Sequence, residues 1–155
     1  MNRFISAVFA LGLFGSSWTA LADLPTVSDA WVREAPPTSM VNAAYMYINN
    51  PGAQDIIITG ASSPQFEKVE IHLTVIVDGM ARMQGQKRLR IPASGHVALA
   101  PGGLHLMLIK AKQPVKAGEH VNISLEIEGG GTLQVAAEVR PAVTEEMDHS
   151  QHMQH

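Results

Sequence analysis

Turn signals recur along this chain, and no run between them carries the three-to-four-residue periodicity of an amphipathic helix. Asn50-Pro51-Gly52, Asp78-Gly79, Pro101-Gly102-Gly103, Ala117-Gly118 and Gly129-Gly130-Gly131 separate short runs rich in Val, Ile and Thr. Short β-rich runs punctuated this way argue for an all-β sandwich or barrel. The expected strands are about Asp29–Glu34, Ala43–Asn49, Ile56–Ser62, Phe66–Val77 and Met80–Leu89. His96–Leu99, Leu104–Lys110, Val121–Ile127 and Leu133–Val139 follow. Asp78-Gly79 between two such runs is a strong tight-hairpin signal, because both residues accept positive φ.

With 155 residues there is room for one domain rather than two. Charged residues make up 16% and apolar residues 46%, a balance suited to a packed core. The formal charge of −3 offers no dominant basic field, so nucleic acid is not expected as a partner. The local cluster Arg82, Lys87, Arg88 and Arg90 reads as a solvated strand face, with an acidic docking partner the lesser reading.

Residues 1–22 read as a signal peptide. Asn2-Arg3 begin it, Phe4 to Phe14 form its apolar centre, and Ala20-Leu21-Ala22 supplies a small-x-small cleavage site before Asp23. The apolar run is too short to span a membrane stably, so an uncleaved anchor is the weaker alternative. The expected product is a periplasmic β-domain over residues 23–141, followed by a polar tail, 142–155.

The chain has no cysteine. Within one stretch, from His72 to Met107, it offers a candidate set of two histidines and two methionines: His72, Met83 and the pair His105 and Met107. Thioether sulfur favours Cu(I), imidazole accepts it, and Mg, Ca and Mn prefer oxygen. In an oxidising compartment thioethers hold Cu(I) without the disulfide hazard of thiols. Strand parity sharpens the case. Val69, Ile71, Leu73, Val75 and Val77 share one phase, and His72 lies on the other. Leu104, Leu106 and Leu108 likewise point away from His105 and Met107, which sit roughly 7 Å apart along the strand. The expected copper site is therefore at a surface or rim. Met83 has no clear parity, and Met80 could replace it or cover the site. His96 and His120 read as solvated, and Trp31, Tyr45 and Tyr47 as core and sheet aromatics. Asn122-Ile123-Ser124 fits a glycosylation sequon but falls within an expected strand.

The tail is polar from Glu145, and it is expected to be disordered. Met147, His149, His152, Met153 and His155 nevertheless crowd into it as a second candidate copper site. Its imidazoles, with Asp148, suit Cu(II), and its methionines suit Cu(I). An incidental polar tail or purification remnant is the alternative.

The spacing His-(ten)-Met-(twenty-one)-His-x-Met resembles the signature of PCuAC-type periplasmic copper chaperones, which serve Cu(A) centre assembly. Gly79-Met80-Ala81-Arg82-Met83, Pro101 to Met107, Asp29 to Arg33, Ala44-Tyr45 and Val69 to His72 extend the resemblance over roughly Ser28 to Arg140. Leu73 departs from it, where the family often has Glu. The resemblance implies a cupredoxin-like β-sandwich or barrel holding one Cu(I) through His72, Met83, His105 and Met107. It further implies delivery of copper to cytochrome c oxidase, at subunit II or through Sco-like thiol proteins.

Other classes fare worse. Copper buffering without a dedicated acceptor is the runner-up. A blue-copper electron carrier needs a Cys thiolate. No Gly-x-Ser-x-Gly elbow, His-Glu-x-x-His or P-loop points to an enzyme. A metal-free adhesion module has only the fold in its favour.

Overall fold

A computed structural model describes residues 24–142, so the expected signal peptide and the His/Met tail lie outside the described residues. Ten strands and no helix are present among those residues. They are β1 (Thr26–Arg33), β2 (Val41–Asn50), β3 (Ile56–Ser62), β4 (Phe66–Val77), β5 (Met80–Gln86), β6 (Leu89–Ile91), β7 (Gly95–Leu99), β8 (Leu104–Ala111), β9 (His120–Ile127) and β10 (Thr132–Arg140). The neighbour order is β5-β4-β8-β2-β1-β10-β9-β3-β6, and β4 also pairs β3. That last contact closes seven strands, β4-β8-β2-β1-β10-β9-β3, into a barrel. Every pairing is antiparallel except β1 with β10. Closure removes free edges from the wall and encloses the core. Val32, Ala44, Met46, Ile48, Ile58, Ile71, Leu106, Leu108, Ile123, Leu125 and Val139 fill it.

The all-β, single-domain expectation holds, with one strand corrected. The run Met80–Leu89 breaks at Lys87–Arg88, and β6 leaves for β3, pairing Ile57 with Arg90 and Ile58 with Leu89. Leu89 and Ile91 are buried there, whereas β5 has no buried residue. Burial of two apolar side chains favours the departure by roughly 1.5–3 kcal/mol each. Arg88 adds a two-pronged bond to Glu128 at 2.7 and 2.5 Å.

Three local devices position the region of interest. Asp78 (φ 52°) and Gly79 (φ 75°) form the expected two-residue turn, setting the register Val77↔Met80 and Thr74↔Met83. A bulge between Ser28 and Trp31, with Asp29 at φ 46°, shifts β1 so that Trp31 lies across from Tyr45 outside the barrel. Strand β2 changes partner midway, pairing β8 through Ala44 and β7 from Met46. Tyr45 stands at that junction, beside the start of β8.

Candidate metal centre

The four candidate residues share the outer face of the β5-β4-β8 ladder. His72 lies directly opposite His105 on β8, and their ring centroids are 6.0 Å apart. An imidazole nitrogen binds a first-row ion at roughly 2 Å, so rings sharing one ion have centroids on the order of 5–6.5 Å apart. Met107 is two residues beyond His105 on the same face, opposite Glu70. Met83 lies opposite Thr74, and the period-two alternation puts it on the face of His72. The same alternation corrects the reading of Met80: it pairs with Val77 on the other face of the hairpin and cannot stand in for Met83.

The expected surface or rim placement describes the Met83 side of the set but not His105. His105 is only 4% exposed although it points away from the core. Tyr45, reached from β2, lies beside it with ring centroids 6.5 Å apart, and Trp31 stacks on Tyr45 at 4.6 Å. Arg33 sits above both aromatics, 5.9 and 5.6 Å from their centroids, as a cation on ring faces. The site thus has a buried floor, half-buried His72 and Met107, and an open side at Met83, which is 59% exposed. Met83, His105, Met107 and Tyr45 line one shallow depression of about 260 Å³. His72 borders a separate depression, with Glu70, Gly85 and Lys87.

Hydrogen bonding shows which nitrogens are available. His105 Nδ1 lies 3.0 Å from the Gly103 carbonyl and can only donate to it, which leaves the Nε2 lone pair free. The same carbonyl accepts from the Thr74 backbone N–H at 3.1 Å, tying the turn to β4. His72 Nε2 lies 3.0 Å from Glu70 Oε2, while its Nδ1 is buried and is the one such side-chain atom without a partner among the described residues. Leaving a buried polar atom unpaired costs roughly 1–3 kcal/mol, and a soft cation would relieve it. No group of three or more His, Cys, Asp or Glu suited to a metal occurs among the described residues. Two imidazoles with two thioethers fit Cu(I) instead. Lys68, then His72, hold the Glu70 carboxyl below the usual carboxylate range.

The sequence model of the LpqE-like family, described as candidate lipoproteins, matches residues 25–139. The chain belongs to this family. It is the PCuAC family. The PCuAC chain described here is 38% identical over 120 residues to Lxx21020 of Leifsonia xyli subsp. xyli, named as a candidate lipoprotein; the match covers 77% of this chain and 71% of that protein. The apo solution structure of DR1885 from Deinococcus radiodurans is 35% identical, with a TM-score of 0.61 over 92% of this chain and 98% of that one. A Cu(I) form of DR1885 has also been solved. The copper-bound PCuAC domain of PmoF2, 20% identical, shares the fold at a TM-score of 0.66 over 79% of this chain and 97% of that domain. The cupredoxin-like architecture is therefore that of PCuAC domains.

Sequence reasoning missed two contributors. Tyr45 covers His105 from a strand sixty residues away, and only the ladder reveals it. Glu70 was legible in principle, since it lies two residues before His72 on the same strand phase. His96 and His120 are exposed, as expected.

Proposed function

We propose that this PCuAC domain carries one Cu(I) between His72, Met83, His105 and Met107 and yields it by ligand exchange to an acceptor protein. The observation that carries this reading is the facing pair His72 and His105, 6.0 Å apart, with an orphaned imidazole nitrogen and thioethers beside it. The existence of Cu(I)-loaded DR1885 supports the choice of cargo. All four ligands are neutral, so the ion keeps its single charge and no ligand must be reprotonated when it leaves. Met83 is the open-side ligand, and an incoming thiolate or thioether would displace it first. The function is binding and transfer, without turnover.

The compartment we propose is the periplasm, reached through residues 1–22; the naming of relatives as candidate lipoproteins supports export. As acceptor we propose the Cu(A) site of cytochrome c oxidase subunit II, directly or through a Sco-like protein. Residues Met147, His149, His152, Met153 and His155 would form a second copper site, for Cu(II) as well as Cu(I). Ala142, the last described residue, borders the depression lined by Met83, His105 and Met107. That proximity keeps buffering as the second reading.

Competitive Cu(I) titration under reductant tests the proposal, using the mature chain and a chain ended at Ala142. One tight equivalent is expected in both. Loss of tight binding in the shorter chain would move copper to the tail and leave a buffering protein. Full transfer to an apo acceptor, monitored by its spectrum, separates chaperone from buffer.

A further inference from the structure

We infer that Glu70 is a positioning residue for the copper site: its carboxylate holds His72 in the Nε2–H tautomer, so that Nδ1 is the atom offered to the metal. The inference rests on the reading of His72 as a copper ligand. Lys68, Glu70 and His72 occupy one face of β4 at two-residue steps. Glu70 Oε2 lies 3.0 Å from His72 Nε2, and Lys68 Nζ bonds the other carboxylate oxygen. An ionised carboxylate only accepts, so the proton between them belongs to Nε2 and the lone pair to Nδ1.

Two independent features agree. Nε2 stands on the β5 side of the ring, 3.9 Å from the place a Cβ on Gly85 would take, and His105 lies across the opposite strand. The depression that His72 shares with Glu70 is not the one lined by Met83, His105 and Met107. The hydrogen-bonded edge of His72 therefore turns toward β5 and away from His105 and Met107 on β8, and the orphaned Nδ1 is left for the ion. His105 has the reverse arrangement, with Nδ1 donating to Gly103 and Nε2 free. One ion would thus take Nδ1 from one imidazole and Nε2 from the other, each ring locked by the bond at its far nitrogen.

Imidazole nitrogen NMR on the mature chain reads this directly, without copper and then with Cu(I) under reductant. The expected result is an Nε2–H tautomer at His72 in the copper-free protein and a Cu(I)-shifted Nδ1 after loading. Glu70→Ala should give mixed tautomers and Cu(I) affinity lower by about tenfold. Glu70→Gln, whose amide oxygen still accepts from Nε2–H, should keep the tautomer and most of the affinity. Copper on Nε2 of His72, or wild-type tautomer and affinity in Glu70→Ala, would overturn the role given to Glu70 while leaving the site intact. A wild-type His72 whose nitrogens ignore Cu(I) would overturn the copper site as well.

Discussion

The barrel wall and the β4–β5 hairpin are built from the same strand, yet they differ in every respect that matters for stability. In its first half β4 pairs β8 and touches β3, and Val69 and Ile71 enter the core. Past Leu73↔Leu104 no third strand continues the ladder, and the hairpin runs on as a two-stranded arm. The apolar phase read from the sequence persists, but with nothing to pack on: Val75 is half-buried, Val77 is exposed, and neighbouring Ile76 is 70% exposed. The candidate site straddles this boundary. His105 belongs to the wall and Met83 to the arm, so rigidity is supplied on one side and access on the other. Metal retention and metal release are thereby assigned to different parts of one ladder.

The largest effect expected from breaking this contrast is at Leu108, which is fully buried in the wall. Leu108→Ala should cost about 3 kcal/mol of unfolding free energy through lost burial and a residual cavity. Urea denaturation with an unchanged slope is the check. A cost below about 1 kcal/mol would mean that the wall is not the stabilising element.

Met83→Ala sharpens the comparison because it should separate the two properties. Its side chain is largely exposed, so stability should move by no more than about 0.5 kcal/mol. Cu(I) affinity should fall by more than tenfold, which is about 1.4 kcal/mol. Met107→Ala, half-buried in the wall, should lose comparable affinity and also some stability. Unchanged Cu(I) affinity in both variants would refute the ligand assignment.

What was legible in the sequence follows the range over which each feature is decided. Ile56–Ser62 and Phe66–Val77 were bounded correctly because turn chemistry lies next to them. The outward phase of His72 and His105 was legible because alternation is a property of single strands. Burial of His105 was not, because it depends on Tyr45 of β2 and on where β2 exchanges β8 for β7. Nor was the side of Met83, since β5 has no apolar alternation of its own and takes its register from Thr74. The split of β5 from β6 was hidden for the same reason: Leu89 and Ile91 are drawn to β3, some thirty residues earlier.

Ile76→Ser tests how independent the arm is. Its side chain has little to lose in the folded state, so unfolding free energy should stay within about 0.5 kcal/mol of wild type. Cu(I) affinity should be unchanged, because no ligand moves. A larger loss in titration or denaturation would show that the arm packs against something that Ile76 supports.

The smallest effect lies at the start of β3, where Asp55 joins that strand to β6. Its carboxylate accepts from Arg90 Nε at 2.5 Å and from the Ala93 backbone N–H at 2.9 Å, and these bonds, Arg90 first, lower its pKa. A depressed folded-state pKa contributes stability that is present above the unfolded value, about 3.9, and lost as pH falls through the folded one. Asp55→Asn should therefore lower the urea midpoint slightly at neutral pH. The gap from wild type should stay constant down to about pH 5 and close below about pH 4. Because Glu70 is present in both proteins, its own depressed pKa cancels in the difference. A gap that widens on acidification would mean that the Arg90 bond destabilises the fold. A gap that never closes would trace the loss to the Asp55 side chain's packing rather than to its charge.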